Sequence, residues 1–378
     1  MKFIHLSDLH LGKRVNGFSM LEDQAHILRQ IRQITAREAP EAVLIAGDIY
    51  DKPVPPAEAV ELFDDFLYEL TKLAPHVFVI SGNHDSPERI AFGSRLMAPG
   101  GVHLSPVYDG KVEPVVLRDG HGPVHVYLLP FIKPLHVRRY LPDAPAETFT
   151  QAVASAVAAM DVDSSVRNVL VTHQFVTGAA RSDSEDITVG GADNVDASVF
   201  DLFDYVALGH IHRPQSVGRE TLRYCGTPLK YSFSEMDQEK SVTVAELGEK
   251  GDTAVRTVPL VPLHDMRQIR GTHTELLTLE SYRGTATDDY LRVVLTDEDP
   301  VRHALELMRN VYPNIMLLEY DNVRTRTAAA VTAGQTPEDR TELELFGELY
   351  RLQNGQPLSP VQERYAAELF DAIREEDL

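Results

Sequence analysis

Cysteine is nearly missing from this sequence: Cys225 stands alone in 378 residues, which excludes an internal disulfide and any cysteine-cluster zinc site and fits a reducing compartment. That thiol reads as a small buried apolar residue. Positive charge is scarce as well, with 36 Lys plus Arg against 57 Asp plus Glu and a formal charge of −21. Proteins that grip nucleic acid with their own broad surface usually carry a basic face. Any such contact here must be local, or shared with a partner. No apolar run approaches the roughly 18 residues of a membrane span. The start MKFIHLSDLH lacks the basic, apolar, then small-residue order of a secretory signal, so a cytoplasmic location is expected. A G-x-x-x-x-G-K-[ST] phosphate loop is absent too; Gly12-Lys13 and Gly110-Lys111 lack its remaining elements, leaving no visible route to ATP hydrolysis.

What is present is an ordinary globular balance, 43% apolar and 25% charged, over a length that predicts two or more domains. The first two thirds repeat a short β-branched run, a turn and often an amphipathic stretch, which predicts a layered α/β core. Strands are expected over Lys2 to Ser7, Val43 to Ala46, Val77 to Ser81, Val124 to Leu129, Asn168 to Thr172 and Tyr205 to Leu208. Helices are expected over Met20 to Glu38, Pro56 to Leu73, with Pro56 in the first turn, and Thr148 to Met160. Two alternating runs, Ser241 to Leu247 and Thr253 to Leu260, read as antiparallel strands, and the first domain is expected to end near residue 265. Beyond it, Tyr290 to Leu295, a helix over Val301 to Asn310 and Ile315 to Glu319 suggest a small sheet with one covering helix. Thr325 to Gln335 reads as a linker before two acid-rich amphipathic helices, Thr341 to Leu352 and Ser359 to Ile373.

Five of the six early strands end in a potential metal ligand: Asp8 with His10, Asp48, Asn83 with His84, His173, and His210 with His212. Any one of these alone reads as a cap or a satisfied polar residue. As a set they follow strand after strand, in the strings Asp-Leu-His at 8 to 10, Gly-Asp at 47 and 48, Gly-Asn-His-Asp at 82 to 85 and Gly-His-Ile-His at 209 to 212. Sites in open α/β sheets lie beyond the carboxyl ends of the strands, so these residues are expected to converge. Oxygen and imidazole donors in this number suit two divalent cations bridged by a carboxylate, for which Asp48 is the candidate. Two metals about 3.5–4 Å apart generate a nucleophile at neutral pH and neutralise phosphoryl charge, the needs of phosphodiester hydrolysis. His84, beside Asn83, is placed to protonate the departing oxygen. Asp51 could orient a ligand or water, and Lys13 and Arg14 could reach substrate phosphates. The remaining histidines read as structural.

Those strings, with Thr172-His173, resemble the five signatures of the calcineurin-like metallophosphoesterases across the first domain. More narrowly, HLSDLHLGKR, AGDIYDKPVPP and ISGNHDSPERIAFGS resemble the SbcD family, the nuclease subunits of bacterial SbcC-SbcD complexes. The resemblance implies a metallophosphoesterase β-sandwich flanked by helices over residues 1–265, a small α+β capping domain over 268–320, a linker over 321–338 and a helix-loop-helix over 339–378 that binds SbcC. It assigns Asp8, His10, Asp48 and His212 to one metal, Asp48, Asn83, His173 and His210 to the other, and His84 to acid catalysis, with manganese as the cation. The ligand set alone would also accept zinc, iron or a mixed pair. Implied too are ATP-dependent exonuclease action on duplex ends, endonuclease action on single strands and hairpin opening in DNA repair and recombination. The implied partners are DNA and an SbcC-type ATPase with a long coiled coil, in a heterotetramer containing an SbcD homodimer, nucleoid-associated when at work. An enzyme of the same superfamily acting on nucleotides or phosphoproteins, or a scaffold that has lost catalysis, remains the alternative.

Overall fold

Short runs of Val, Ile, Leu and Ala between turn residues favour buried strands over helices, because branched side chains pack well on a pleated surface. In the computed structural model, which describes residues 1–185, 193–323, 325, 342–354 and 357–376, these runs build two six-stranded sheets. A first unit, Met1–Met266, holds both. Its first half contains β1 (Lys2–Leu6), β2 (Arg14–Val15), β3 (Phe18–Ser19), α1 (Leu21–Glu38), β4 (Ala42–Ala46), α2 (Ala57–Thr71), β5 (His76–Ile80), α3 (Pro87–Ile90), α4 (Ser94–Met97) and β6 (Val102–Leu104). There follow β7 (Val115–Asp119), β8 (Gly122–Leu129), α5 (Pro134–Tyr140), α6 (Phe149–Ala158), β9 (Arg167–His173), β10 (Phe175–Val176) and β11 (Asn194–Val195). The unit closes with β12 (Tyr205–Gly209), β13 (Gln215–Val217), β14 (Arg219–Tyr224), β15 (Ser241–Leu247) and β16 (Thr253–Pro259).

One sheet has the order β16-β15-β1-β4-β5-β6, the other β13-β14-β12-β9-β8-β7. Within the first, β1, β4, β5 and β6 run parallel and β15 pairs antiparallel with both β1 and β16. Within the second, β14, β12, β9 and β8 are parallel, with antiparallel edges β13 and β7. Side-chain alternation makes the sandwich: Ala42, Leu44, Ala46, Phe78 and Ile80 of one sheet pack against Val124, Val126, Val169, Val171 and Tyr205 of the other. The opposite face of the second sheet, with Leu170, Val206 and Leu208, packs against Ala152, Val153, Ala156 and Val157 of α6. Helix α2 packs on α1 and on β5, burying Phe63, Phe66 and Leu70. Each large apolar side chain taken out of water contributes about 1.5–3 kcal/mol, so such layers dominate the stability of the unit.

The second unit, Arg267–Leu378, has its own small core. Strands β17 (Met266–Gly271), β18 (Tyr290–Leu295) and β19 (Ile315–Tyr320) form a three-stranded sheet in which β18 and β19 are parallel. Helices α7 (His273–Leu276), α8 (Leu279–Tyr282) and α9 (Ala304–Arg309) accompany it, with Leu276, Ala304 and Met308 buried against Leu291, Val293 and Leu295. The helices Glu342–Asn354 and Pro360–Glu376 pack on each other, their Phe346 and Phe370 rings 5.9 Å apart. Most of the expected linker, 324 and 326–338, lies outside the described residues. No helix among the described residues is long and apolar enough to cross a membrane.

One local expectation needs correction. Pro56 does not open the helical run: it precedes α2 in extended conformation, φ −66° and ψ 153°, where its ring sets the entry to the helix. The edge strands β6, β7 and β13, and helix α5, have no counterpart in the sequence reading, because edges tolerate mixed exposure and carry no clean apolar run.

Candidate metal centre

Parallel neighbours deliver the candidate ligands to one rim. Asp8 and His10 follow β1, Asp48 follows β4, Asn83 and His84 follow β5, His173 ends β9, and His210 and His212 follow β12. Gly209 pairs in register with His173, so the two histidine-bearing strands of the second sheet end side by side. In the first sheet the loops continue the ladder: the Asp8 N–H donates to the Gly47 carbonyl and the His10 N–H to the Asp48 carbonyl, each at 3.0 Å. Asp8, His10, Asp48 and His210 all have positive φ, at 53°, 45°, 48° and 100°. Such a backbone costs about 1–3 kcal/mol per non-glycine residue and persists only where its surroundings hold it. The strain turns these side chains inward, and no sequence signal marks it.

The donor atoms meet within hydrogen-bond range of one another. His173 Nε2 lies 2.9 Å from Asn83 Oδ1 and 3.3 Å from Asp48 Oδ2, and His210 Nδ1 also lies 2.9 Å from Asn83 Oδ1. His10 Nε2 faces His212 Nε2 at 3.2 Å. Among the described residues, three groups have the spacing to hold a metal ion: Asp8, His10 and His212; His10, Asp48 and His84; and Asp8, Asp48 and His173. Asp8, His10, Asp48, His173, His210 and His212 are all buried. The structure therefore brings together every residue expected at the centre, with His84 half-buried at its edge, its ring centroid 4.9 Å from that of His10.

Several features fit a cation. His10 Nδ1 is buried without a hydrogen-bond partner. His10 Nε2 and His212 Nε2 face each other, and since His212 carries its proton on Nδ1 the pair is held by a single His10 Nε2–H; a cation would take the lone pairs of both nitrogens in place of that proton. His173 donates its Nδ1–H to the Ala46 carbonyl at 2.8 Å, which directs Nε2 at the cluster, where its proton would give way to a cation. His212 is fixed in the same sense: its Nδ1–H donates to Ser184 Oγ at 2.7 Å, and that hydroxyl donates to Glu235 Oε1.

No sequence pattern marks Glu235, and yet it anchors a buried network. Lys240 Nζ reaches Glu235 Oε2 at 2.6 Å, the His212 carbonyl at 2.9 Å and Thr227 Oγ1 at 2.8 Å, while Glu185 Oε1 accepts the His212 N–H at 2.7 Å. Asp85 is a second residue without an assigned role in the sequence reading, although it stands in the Gly-Asn-His-Asp string. Its carboxylate accepts the N–H groups of Ile49, Tyr50 and Gly82 at 3.1, 3.0 and 2.9 Å, pinning the loop after β4 to the loop after β5. Aromatic walls complete the site: Phe131 stacks on His210, and the Tyr231 hydroxyl donates to the Leu9 carbonyl while its ring edges His10.

Burial sets the electrostatics. It pushes the Asp8 carboxyl up to about 7, with nearby Asp48 adding to the rise. Burial alone would raise Asp48 and lower His173, but their mutual attraction reverses both: Asp48 is held well below the carboxylate range, and His173 rises to about 9. Burial, reinforced by the His173 charge, lowers His210 to about 3. Burial also holds His10 and His212 low. With a cation in place, such a cluster is neutral at its imidazoles and anionic at its carboxylates, and the cation supplies the positive charge it lacks.

The three flanking candidates fare differently. Lys13 Nζ pairs with Asp51 Oδ1 at 2.7 Å, so this cation is engaged within the protein. Asp51 Oδ1 lies 3.8 Å from His10 Nδ1, beyond hydrogen-bond distance, whereas its backbone carbonyl holds His84 Nδ1 at 3.1 Å. Arg14 is exposed and folds its guanidinium onto the Gly17 carbonyl of the β2–β3 hairpin. Among the histidines read as structural, His5 bonds the Tyr205 hydroxyl and the Leu208 carbonyl in the core. His136, exposed on α5, accepts the Lys133 N–H at 3.3 Å and so caps that helix.

With fold and centre described, comparison with known proteins supplies the class. Residues 1–214 match the family model for calcineurin-like phosphoesterases, and residues 262–354 match the model described as the type 5 capsule protein repressor C-terminal domain. The chain belongs to the calcineurin-like phosphoesterase family, whose members are metal-dependent hydrolases of phosphate esters. Within it, the chain is similar to SbcD, the nuclease component of the SbcCD complex, from Staphylococcus epidermidis, 32% identical over 369 residues that cover 96% of each chain. A dimetal phosphatase from Danio rerio aligns with 70% of this chain and 98% of its own at 11% identity and a TM-score of 0.39, a likeness too slight to carry weight.

Two outcomes are expected. Glu235→Gln, which frees the Ser184–His212 pair from its charged anchor, should weaken divalent-cation binding about 10-fold or more, read by isothermal titration calorimetry on protein whose circular dichroism is unchanged. Ligation of a cation by His173 and Asp8 would require a neutral imidazole and an ionised carboxylate, and both groups hold their protons more tightly than usual. Cation affinity should therefore rise with pH from below about 7 to about 9, with protons released on binding. Calorimetry in two buffers of different ionisation heat would count those protons.

Proposed function

We propose that the first unit hydrolyses DNA phosphodiesters with two manganese ions, one held by Asp8, His10, Asp48 and His212 and the other by Asp48, Asn83, His173 and His210. The observation that carries this reading is the convergence of those seven side chains, from five strands, in a chain whose nuclease relative covers 96% of it. When bound, the cations supply a nucleophile at neutral pH and neutralise charge on the phosphoryl group. The protein's own residues position and exchange protons around them. Asp48 faces both sets, and its Oδ1 accepts the His84 N–H at 2.9 Å, which locks that residue beside the centre. With Nδ1 donating to the Asp51 carbonyl, His84 exchanges its other proton at Nε2 and delivers it to the departing oxygen.

The related protein's name places it in a two-component complex, and the present sequence has no phosphate loop, which supports an SbcC-type ATPase with a coiled coil as its partner. Residues 268–320 then act as a capping domain that positions DNA, 321–338 as the linker, and 339–378 as the helix-loop-helix docked on SbcC. Leu345, Phe346, Leu349, Val361, Tyr365 and Leu369 of that pair are exposed, an apolar surface of the kind that coiled coils cover. Val60 and Tyr68 on α2, Phe92 between α3 and α4, and Leu96 on α4 supply exposed apolar area for a homodimer within a heterotetramer. A cytoplasmic, nucleoid-associated setting follows from that substrate and partner. A nucleotide or phosphoprotein hydrolase would share the metal centre but has no evident use for the second unit, and a scaffold has no need of an intact ligand set.

His84→Ala should lower manganese-dependent nicking of a labelled DNA hairpin about 10²–10⁴-fold while leaving manganese affinity unchanged. Nicking at the original rate removes the proposed acid; activity confined to small phosphoesters favours the nucleotide hydrolase. Deleting residues 336–378 should abolish copurification with the ATPase and leave cleavage of single strands in place, and a complex that survives the deletion refutes the docking assignment.

A further inference from the structure

Beside the metal centre lies a cleft of about 820 Å³ lined by aromatic and cationic side chains, Tyr108, Phe131, His136, Arg138, Arg139 and Tyr140 among them. We propose that this cleft holds the unpaired DNA strand next to the scissile phosphate, stacking a base on its aromatic residues and pairing backbone phosphates with Arg139 in its lining and with Lys133, which lies outside the lining near the Phe131 ring. The proposal rests on the nuclease reading and adds the location and strandedness of substrate contact.

Continuity with the centre is direct. Phe131 forms part of the cleft, and its ring stacks on candidate ligand His210 at a centroid distance of 6.2 Å and 19° between planes and meets His173 edge-on. A strand whose phosphate enters the metal centre from this side must therefore pass this ring. Charge complementarity points the same way. The chain carries a formal −21, yet Phe131 to Pro142 contains Lys133, Arg138 and Arg139 and no acidic residue. Glu88 is the carboxylate among the lining residues, and it accepts a hydrogen bond from Ser86 Oγ at 2.9 Å. Arg138 donates to the Ala146 carbonyl at 2.7 Å, which braces α5. The Arg139 guanidinium lies 5.4 Å from the Tyr140 ring centre, and Lys133 Nζ 5.9 Å from that of Phe131, so cation and ring are presented together.

The aromatic floor is fixed in place. Tyr108 meets Tyr140 edge to face at 6.2 Å and 82°, and Gly110, at φ +91°, lets the chain pass so close that an added Cβ would sit 2.8 Å from Tyr140 Cβ. Tyr140 is nevertheless 40% exposed and Leu135, on the same helix, 67%. A rigid ring with an open face beside a cation is what proteins use to bind single strands without regard to sequence, because every base offers a π face and every linkage a charge. Within a duplex, stacked pairs expose only their edges, so the rings can take an unpaired base or a terminal one but not the interior of a duplex.

The test is binding of a fluorescein-labelled phosphorothioate oligothymidine, which resists cleavage, to the full manganese-loaded chain by anisotropy. Arg139→Glu should raise Kd at least about 10-fold and make the log–log salt dependence shallower by about 0.7, the signature of one lost phosphate contact on a single strand. Tyr140→Ala should weaken binding about fivefold with the salt slope unchanged, since stacking releases no counterions. Arg118→Glu, an equal charge reversal on edge strand β7, should bind as the parent does. The rate ratio for an unmodified single strand over bis(p-nitrophenyl) phosphate should fall with Arg139→Glu by the same factor as affinity. Parent-like Kd values for both cleft variants overturn the proposal, as does unchanged DNA binding with an altered mass in solution, which would make the cleft a contact between copies. A parent protein that binds oligothymidine through these residues but cuts no DNA defeats the nuclease reading and leaves the cleft assignment standing.

Discussion

The approach of β4 to β12 at their carboxyl ends is the constraint on which the centre depends. The Ala46 carbonyl lies where the two sheets close on each other. It accepts the His173 Nδ1–H at 2.8 Å, and a Cβ added to Gly209 would sit 1.9 Å from it. Gly82 is held as tightly, since a Cβ there would fall 2.1 Å from Asp48 Oδ1 and 2.5 Å from the Asp48 backbone nitrogen. Glycine is required at both places because backbone atoms occupy the space, and backbone cannot rotate aside as a long side chain can. The Gly-Asp, Gly-Asn-His-Asp and Gly-His-Ile-His strings thus have one physical content. Each glycine permits a close crossing, and the polar residue that follows is delivered into the gap between the sheets.

That gap concentrates groups that do not stabilise one another. Asp8 and Asp48 are buried carboxylates, and the buried imidazoles of His10, His173, His210 and His212 lie around them. Without a cation the cluster settles by sharing protons, with His173 charged against Asp48 and Asp8 holding its proton near neutrality. Burial of unpaired charge is expensive, so a fold that retains this arrangement gives up stability that packing must supply. The sandwich core provides it: the apolar residues on both inner faces are almost completely sequestered from water. Strained loops at Asp8, His10, Asp48 and His210 are tolerated for the same reason, because each is tied to a strand end that cannot shift without opening the core.

Much of this was legible in the sequence because it is local. Central strands buried on both faces are continuous apolar runs, and β4, β5, β9 and β12 lie within a residue or two of where those runs predict them. The ligand strings stand out since each follows such a run directly. What stayed hidden depends on contacts between distant residues. Glu235 and Ser184 are separated by 51 positions, and neither stands beside a motif, yet together they fix the tautomer of His212. Asp85 stands inside a motif, but its partners are backbone N–H groups of another loop, which leave no mark in side-chain chemistry. Lys13 looked available for phosphate, but the fold pairs it with Asp51. Register and φ are three-dimensional properties, and composition does not encode them.

The distribution of charge then acquires a physical sense. An acidic surface repels a polyanion at distances up to about a Debye length, roughly 8–10 Å in physiological salt, so DNA has no reason to settle on most of this chain. Attraction is confined to places where cations outnumber acidic neighbours, and the Lys133 to Arg139 stretch, with Glu88 as the carboxylate beside it, is such a place, one aromatic ring away from His210. A broad basic face would hold DNA in many registers and leave the scissile bond to chance. A small cationic cleft in an otherwise repelling surface trades affinity for placement, and the affinity it gives up can come from a partner protein without loosening the geometry at the metals.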